Sequence, residues 1–382
     1  MAVNAERNCP RSVLASGGMS ILPFRIEIPS SDVARLRDQL AAARWPVFSD
    51  SSAGFRGISD ARLRALAARW QGFDWPAAEA RLNSYPQFTT VIDGQTVHFL
   101  HVRSARDDAP ALILTHGYPS SPAEFLGLLP LLDDFHLVVP SLPGYAFSTP
   151  LSSPGWTMTR TARAWVELME RLGYDRYGVH GGDIGAGVSG GVASLAPSHV
   201  TGVHVVADPM TAAATATFLP GMADRLDAND PVDKLILDRM EAFRREGSGY
   251  LAIQQSRPQT ISYGLTDSPL FQLAWIAEKF DEWTRLPFDD DQLLTTVSLY
   301  WFTASGGTAA HTLYDQAHSM DWGGPVTVPQ AFAVFGADET VRRLVPAPAS
   351  ARWTEFPAGG HFPAMEAPAE LASDLRAFFG AL

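Results

Sequence analysis

Cysteine is almost absent: Cys9 is the single one in 382 residues. One thiol cannot close an internal disulfide, and it has no companion with which to hold a metal. Such usage fits a reducing compartment, so the expected location is the cytoplasm. Long apolar runs are also missing. Stretches such as 111–114 are far too short to cross a membrane. An excess of basic residues is lacking as well. Lys and Arg number 29 against 41 Asp and Glu, a net charge of −12, which speaks against nucleic acid or an anionic membrane as a partner. Residues 1–18 lack the apolar centre of a secretory signal. They read as a disordered extension ahead of an alternative start at Met19. The rest has ordinary globular composition and enough length for a sizeable core without staples.

The pattern along the chain changes twice. Residues 19–86 read as a helical extension. Ser30 and Ser31 are candidate caps for a helix through Val33, Leu36, Leu40 and Ala43, stopped by Trp45-Pro46. Further helical patterns cover about 60–70 and 76–82. Residues 87–210 read as strands and helices in alternation. A hairpin over 88–102 turns at Asp93-Gly94, and buried strands follow at 111–115, 136–140, 177–180 and 203–207. A helix at 159–172 is a typical connection. Alternation of this kind predicts a mostly parallel sheet with right-handed crossovers. Over 211–321 the strand signal disappears into helical patterns, as at 270–280 and 291–302. Such an insertion commonly forms a lid. Residues 322–382 return to the core with strands at 330–335 and 352–356 and a helix over 368–379.

One strand ends in Gly181-Gly182-Asp183-Ile184-Gly185. Gly181, Asp183 and Gly185 fit the G-x-nucleophile-x-G elbow of α/β-hydrolases, with Asp in place of Ser. A competing reading exists. Gly185, Gly187 and Gly190 satisfy G-x-G-x-x-G after a strand, and Asp208 follows about twenty residues on, as in dinucleotide sites. Against it, several βα units precede the motif and Pro209 crowds Asp208.

The elbow has companions in chain order. His116-Gly117-Tyr118-Pro119 follows the strand at 111–115, where an oxyanion-hole N–H is expected; this predicts backbone donors from Tyr118 and Ile184. Asp338, in Phe335-Gly336-Ala337-Asp338-Glu339, follows a late strand and is the candidate acid, with Glu339 beside it as the alternative. His361 follows the last strand. The order Asp183, Asp338, His361 is nucleophile, acid, histidine.

A carboxylate nucleophile needs no base and attacks alkyl carbon, giving an alkyl-enzyme ester. His361 would then activate water against that ester, and the two N–H groups would stabilise the oxyanion. The leaving atom must depart from carbon, as a ring-opened epoxide oxygen or a halide. Ring opening needs a proton donor, for which tyrosine suits a dry site. A halide would favour an indole donor, and the residue after the nucleophile is Ile184 rather than Trp.

The segments PFRIEIPSSDVARLRDQLAAARWP (23–46), His116-Gly117-Tyr118-Pro119, Gly181-Gly182-Asp183, Gly249-Tyr250-Leu251, Arg257-Pro258-Gln259-Thr260 and Glu278-Lys279-Phe280 together resemble the microsomal-type epoxide hydrolases in their soluble bacterial form. The resemblance runs over about 20–380. It implies an α/β-hydrolase fold with a mostly parallel sheet, a helical lid insertion and an N-terminal helical extension. It also implies a cofactor-free, metal-free reaction on a hydrophobic epoxide and water, and association as homodimers. By the same resemblance Tyr250 and Tyr314 stand where two lid tyrosines bind and protonate the epoxide oxygen, with Tyr263 and Tyr300 in reserve. His116, Pro119, Trp156 and Phe125 are candidate pocket residues. The aromatics Phe125, Trp156, Trp275 and Trp301 either line an aromatic-accepting pocket or fill the core and lid interface. The departures are Ile184 and Tyr118, where Trp is commoner, and an acid loop reading Phe-Gly-Ala-Asp-Glu rather than Phe-Pro-x-acid. A haloalkane dehalogenase with the same nucleophile and a non-catalytic binding protein of this fold stay open as alternatives.

Overall fold

A computed structural model describes residues 20–47, 57–319, 321 and 323–382. The expectations for residues 1–18, Met19 and Cys9 lie outside the described residues. The chain forms one nine-stranded sheet in the order β1-β2-β3-β5-β4-β6-β7-β8-β9. Its strands are β1 (Leu22–Phe24), β2 (Gln87–Ile92), β3 (Gln95–Val102), β4 (Ala111–Thr115), β5 (His136–Pro140), β6 (Tyr177–Gly181), β7 (Val200–Ala207), β8 (Gln330–Phe335) and β9 (Arg352–Phe356). β1, β2 and β3 run antiparallel, and β3 joins β5 antiparallel. Every later pairing, through β5, β4, β6, β7, β8 and β9, is parallel. At the hairpin, Asp93 and Gly94 both take positive φ, 51° and 74°, as a two-residue turn matching strand twist requires. β1, only three residues long, had no signal against the helical reading of its neighbourhood.

The central strands are covered on both faces, so their runs are largely apolar on both sides rather than alternating with polar residues. On β4, Ile113 belongs to one core cluster, while Leu112 and Leu114 belong to the other. Helices α1 (Ser30–Ala41), α2 (Asp60–Gln71) and α3 (Trp75–Leu82) form the N-terminal extension. α1 buries Val33, Leu36 and Leu40 on one face as expected, but Pro29 stands at its N-cap and no serine side chain caps it. α4 (Met158–Arg171) precedes β6 and α5 (Ile184–Leu195) follows it. α5 is short of Cβ atoms because it lies against the sheet: a Cβ on Gly185 would come 2.0 Å from the Thr115 carbonyl oxygen. That close approach accounts for Gly185; Gly187 is set by Met158 of α4, 2.3 Å from where its Cβ would stand, and Gly190 has room for a side chain.

Among the described residues seven α-helices separate β7 from β8: α6 (Pro209–Thr217), α7 (Pro231–Ala242), α8 (Gly249–Ser256), α9 (Pro258–Asp267), α10 (Pro269–Trp283), α11 (Asp290–Thr303) and α12 (Ser305–Ala317). After β8 come α13 (Glu339–Leu344), then β9, α14 (Pro363–Glu366) and α15 (Pro368–Phe379). The extension is tied to the insertion. Arg62 on α2 bonds Asp290 and Asp281, and the Trp70 indole donates to Ser298 at 2.8 Å. Among the described residues no helix is long and apolar enough to cross a membrane. The carboxyl ends of β4, β6, β7, β8 and β9 converge on one edge, where sheets of this kind hold their sites.

Candidate active site

Asp183 caps the junction of β6 and α5 with φ 53° and ψ −127°. A non-glycine residue held at positive φ stores backbone strain and is characteristic of functional turns. The turn projects the carboxylate toward the loop after β4. Gly117 makes room for it, since a Cβ there would stand 2.4 Å from Asp183 Cβ. The next N–H, that of Tyr118, donates to Asp183 Oδ1 at 2.9 Å. Ile184 opens α5, so its N–H is one of the unpaired donors that every helix start presents. Of the two backbone groups expected to face a developing oxyanion, the Tyr118 N–H thus lies on the carboxylate itself, and the Ile184 N–H follows it along the chain at the start of α5.

His361, following β9, reaches the same carboxylate from the other side. Its Nε2 lies 3.7 Å from Asp183 Oδ2. The ring is buried, packs edge-on against Trp283 at 4.9 Å, and its backbone N–H donates to the Trp283 carbonyl at 3.0 Å. Its Nδ1 lies 3.2 Å from Asp208 Oδ2 and 2.8 Å from the Thr211 hydroxyl. Asp208 is the N-cap of α6; its Oδ1 accepts the N–H groups of Met210 and Thr211. Burial alone would lower the His361 pKa. The hydrogen bond and charge of Asp208, with the charges of Asp183 and Glu124, instead raise it to about 9. Burial opposes ionisation of Asp208 too, yet its hydrogen bond to His361 and that partner's charge hold it below the usual carboxylate range.

The expected acid is elsewhere. Asp338 pairs with Arg239 at 2.7 Å and accepts from the Thr340 hydroxyl and N–H. Its carboxylate makes no hydrogen bond or ion pair with His361. The neighbouring Glu339 begins α13 and makes none either. Asp208, which the sequence reading set aside with the dinucleotide motif, is the carboxylate in contact with His361.

One face of α10 supplies the wall above the carboxylate. Trp275, Lys279 and Trp283 recur every four residues and so point the same way. The Trp275 indole donates to the Tyr118 hydroxyl at 2.7 Å. Lys279 lies over the Tyr250 ring at 4.8 Å, and Trp283 meets both Tyr250 and His361 edge-on. Tyr250, on α8, lies parallel to the Tyr118 ring with centroids 6.0 Å apart. Burial, and then the Asp183 charge, raise its pKa well above the ordinary phenol value. Its hydroxyl makes no hydrogen bond among the described residues.

Tyr314 is not brought to this group. It is half-buried on α12 and stacks on His318 at 4.0 Å, with no hydrogen bond or ring contact to Asp183, His361 or Tyr250. Ala304, in the left-handed conformation (φ 53°), separates α11 from α12. Of the reserve tyrosines, Tyr263 is 69% exposed. Tyr300 is buried with its hydroxyl committed to the Ser120 carbonyl at 3.0 Å. Tyr145, not anticipated, is buried near Tyr300 and His116, and its phenol oxygen lacks a well-formed hydrogen bond.

The remaining pocket candidates divide. His116 is a strut: its Nδ1–H donates to the Gly117 carbonyl at 2.9 Å and its Nε2 accepts the Leu142 N–H at 3.1 Å. Burial pushes its pKa down to about 4, so it stays neutral. Pro119 follows Tyr118 through a cis peptide and is buried in the same turn. Phe125 packs within the core cluster against His180. Trp156 is buried in the opposite cluster under the Arg160 guanidinium. These two fill the core, and so does Trp301 against Trp70. A cavity of about 1030 Å³ opens behind His361 rather than over Asp183; Asp208, Trp283, Gly360, Arg239 and Asp338 are among its walls.

Comparisons with known proteins agree with this architecture. Residues 21–125 match the family described as epoxide hydrolase N terminus, and residues 110–368 match the alpha/beta hydrolase fold. A Stigmatella aurantiaca protein, provisionally assigned as an epoxide hydrolase, is 38% identical over 94% of this chain and 84% of its own. Epoxide hydrolase 1 of Sus scrofa is 32% identical over 95% of this chain and 89% of its own. The solved structure of Aspergillus niger epoxide hydrolase superposes with a TM-score of 0.80 at 34% identity, covering 95% of this chain and 97% of that one.

Proposed function

The chain belongs to the epoxide hydrolase family of α/β-hydrolase fold that carries its own N-terminal extension, and on that premise we propose that it opens a hydrophobic epoxide to a vicinal diol through an ester on Asp183. The observation that carries the reading is the pair of groups around that carboxylate: the Tyr118 N–H on one oxygen and His361 Nε2 at 3.7 Å from the other. A serine hydrolase would need the histidine to activate its nucleophile. A carboxylate does not, so here the histidine is free for water.

In the first half-reaction, an Asp183 oxygen bonds to a ring carbon as that carbon's bond to the epoxide oxygen breaks. The Tyr250 hydroxyl, half-buried and without a hydrogen bond among the described residues, gives its proton to the departing oxygen. In the second half, a water in the gap before His361 passes a proton to Nε2 as its oxygen bonds to the ester carbonyl carbon. The N–H groups of Tyr118 and Ile184 hold the oxyanion. Collapse breaks the alkyl–oxygen link to the carbonyl carbon. The diol leaves, the carboxylate is restored, and the proton on His361 returns by way of product or solvent to Tyr250. The insertion serves as the lid, with α8 and α10 bringing Tyr250, Trp275 and Trp283 over the nucleophile. The same reading places the enzyme in the cytoplasm as a homodimer.

Single turnover in heavy-oxygen water with excess enzyme tests it. Label should enter the Asp183 carboxylate first, because water attacks the ester carbonyl. Label found only in the diol, never in the protein, would replace the covalent route by direct attack of water on the epoxide.

A further inference from the structure

We infer that the carboxylate holding the catalytic histidine is Asp208, at the end of β7, and that Asp338, at the end of β8, has given up that duty to pin the lid. This rests on the epoxide-opening reading above and adds a positioning residue to it. β7 and β8 are parallel neighbours, with Ala207 opposite Val334. Asp208 is the first residue past its strand, so no slack separates it from the sheet. Its Oδ2 meets His361 Nδ1 at 3.2 Å. Both backbone donors on Oδ1 come from the first turn of α6, so the carboxylate is oriented before the histidine arrives.

Thr211 completes the link. Its hydroxyl has one proton, given to Asp208 Oδ2, and an open lone pair 2.8 Å from His361 Nδ1. Nδ1 must therefore carry the hydrogen in this arrangement. In the neutral ring that leaves the Nε2 lone pair facing the side where water has to be deprotonated. When Nε2 takes the proton, the imidazolium charge falls against a buried carboxylate that is already ionised.

The departure of Asp338 has a cause in the chain. Gly336 takes φ 57°, in the left-handed region. Proline, fixed near −65°, cannot adopt it. A loop that read Phe-Pro-x-acid could not follow this path, whereas Phe335-Gly336-Ala337-Asp338 can. The turn delivers the carboxylate to Arg239 of α7 at 2.7 Å. A second tie joins the same two regions, Arg343 of α13 to Asp233 of α7 at 2.7 Å.

Asp208→Asn and Asp338→Asn, compared with wild type in rapid-mixing experiments on styrene oxide, separate the two roles. Asp208→Asn should still alkylate Asp183 within a few-fold of wild type, which also shows that it folds. Hydrolysis of the ester should slow by roughly 10²–10⁴-fold, the range seen when a histidine loses its orienting carboxylate, so intact-mass spectra should show the alkyl-enzyme. Asp208→Glu should recover part of that rate. Asp338→Asn should hydrolyse the ester within about 3-fold of wild type, at the scale of a surface substitution. An ester that accumulates in Asp338→Asn but turns over normally in Asp208→Asn would overturn the assignment. The hydrogen-bonded Nδ1 proton of His361 gives a readout that needs no turnover. Its low-field NMR signal should vanish in Asp208→Asn and persist in Asp338→Asn, and the reverse would refute the pairing. Failure of wild type to form any ester would instead fault the reaction itself, while leaving this NMR result to decide the pairing.

Discussion

Nε2 of His361 stands 3.7 Å from Oδ2 of Asp183, a charged contact too long for a tight hydrogen bond. The imidazole feels that charge along with those of Asp208 and Glu124, which together overcome burial and lift its pKa to about 9. A base protonated below pH 9 would be of little use at neutrality. Esterification removes the Asp183 charge and with it one of the three supports for the proton. The histidine pKa should therefore drop once the alkyl-enzyme forms. The rate of ester hydrolysis should rise with pH along a curve whose midpoint is below 9, while the free enzyme's His361, followed by NMR, titrates near 9. Equal midpoints would mean that the Asp183 charge does not reach the ring. The same shift bears on stability, since a folded pKa above the unfolded value of about 6.5 favours folding fully below that pH. The contribution is lost as pH rises through 9.

Glu124 moves in the opposite sense on stability. Burial raises its carboxyl to about 7, against the Ser120 hydrogen bond and the His361 charge that lower it, and Asp183 adds to the rise. An acid whose folded pKa exceeds its unfolded one resists folding once the unfolded form ionises. The loss begins above about 4.5 and is complete above 7. Glu124→Gln should therefore raise denaturation midpoints at pH 8 and leave them nearly unchanged at pH 4. The gain should be on the order of 1 kcal/mol, discounted because the residue is only half-buried. Urea titrations at the two pH values check it; a gain equal at both would point to packing rather than charge.

The two lid tyrosines should part company. Tyr250 is half-buried within reach of the Asp183 charge and its hydroxyl makes no hydrogen bond among the described residues, whereas Tyr314 stacks on His318. Tyr250→Phe should cut the alkylation rate by about 10²-fold or more, the scale of one lost proton donor. Tyr314→Phe should change it less than about 3-fold. Comparable losses in both would show that α12 rotates when substrate binds and carries Tyr314 into the site.

These contrasts mark what the sequence could express. That Asp183, His361 and the Tyr118 turn meet was legible because each sits at a strand end, and strand ends are fixed by runs of apolar residues that cannot be shifted without exposing the core. The relay acid was not. Two aspartates follow neighbouring strands, and which one meets the histidine is decided by a backbone angle at Gly336. Only the missing proline hinted at it. Tyr314 was placed beside Asp183 from its motif position alone, which sets a residue on α12 but not which way the helix presents it; there it stacks on His318. Phe125 and Trp156 were drawn to the pocket by being aromatic, although large rings serve the core equally well.

The extension, finally, should matter to the site without touching it. Arg62 on α2 reaches Asp290 at 2.6 Å and Asp281 at 3.2 Å, and these residues belong to α11 and to α10, the helix that carries Trp275, Lys279 and Trp283. The hydrogen bond to Asp290 leads the interactions that raise the guanidinium pKa above its ordinary value. Side chains here are about a third exposed, so the clasp is worth more than a surface pair but less than a buried one, about 1–2 kcal/mol. Arg62→Ala removes the cation that bridges the two carboxylates, leaving Asp290 only the more distant charge of Arg69. It should lower the thermal midpoint by a few degrees at most, as expected for a chain of this size. It should also let α10 shift, loosening the Tyr118–Trp275 contact and raising KM for the epoxide more than it lowers kcat. Arg62→Lys should restore part of the charge balance but only one donor direction, and so fall between the two. If Arg62→Ala loses stability with KM and kcat untouched, the clasp holds the extension alone and the helix over the nucleophile is positioned by its own core packing.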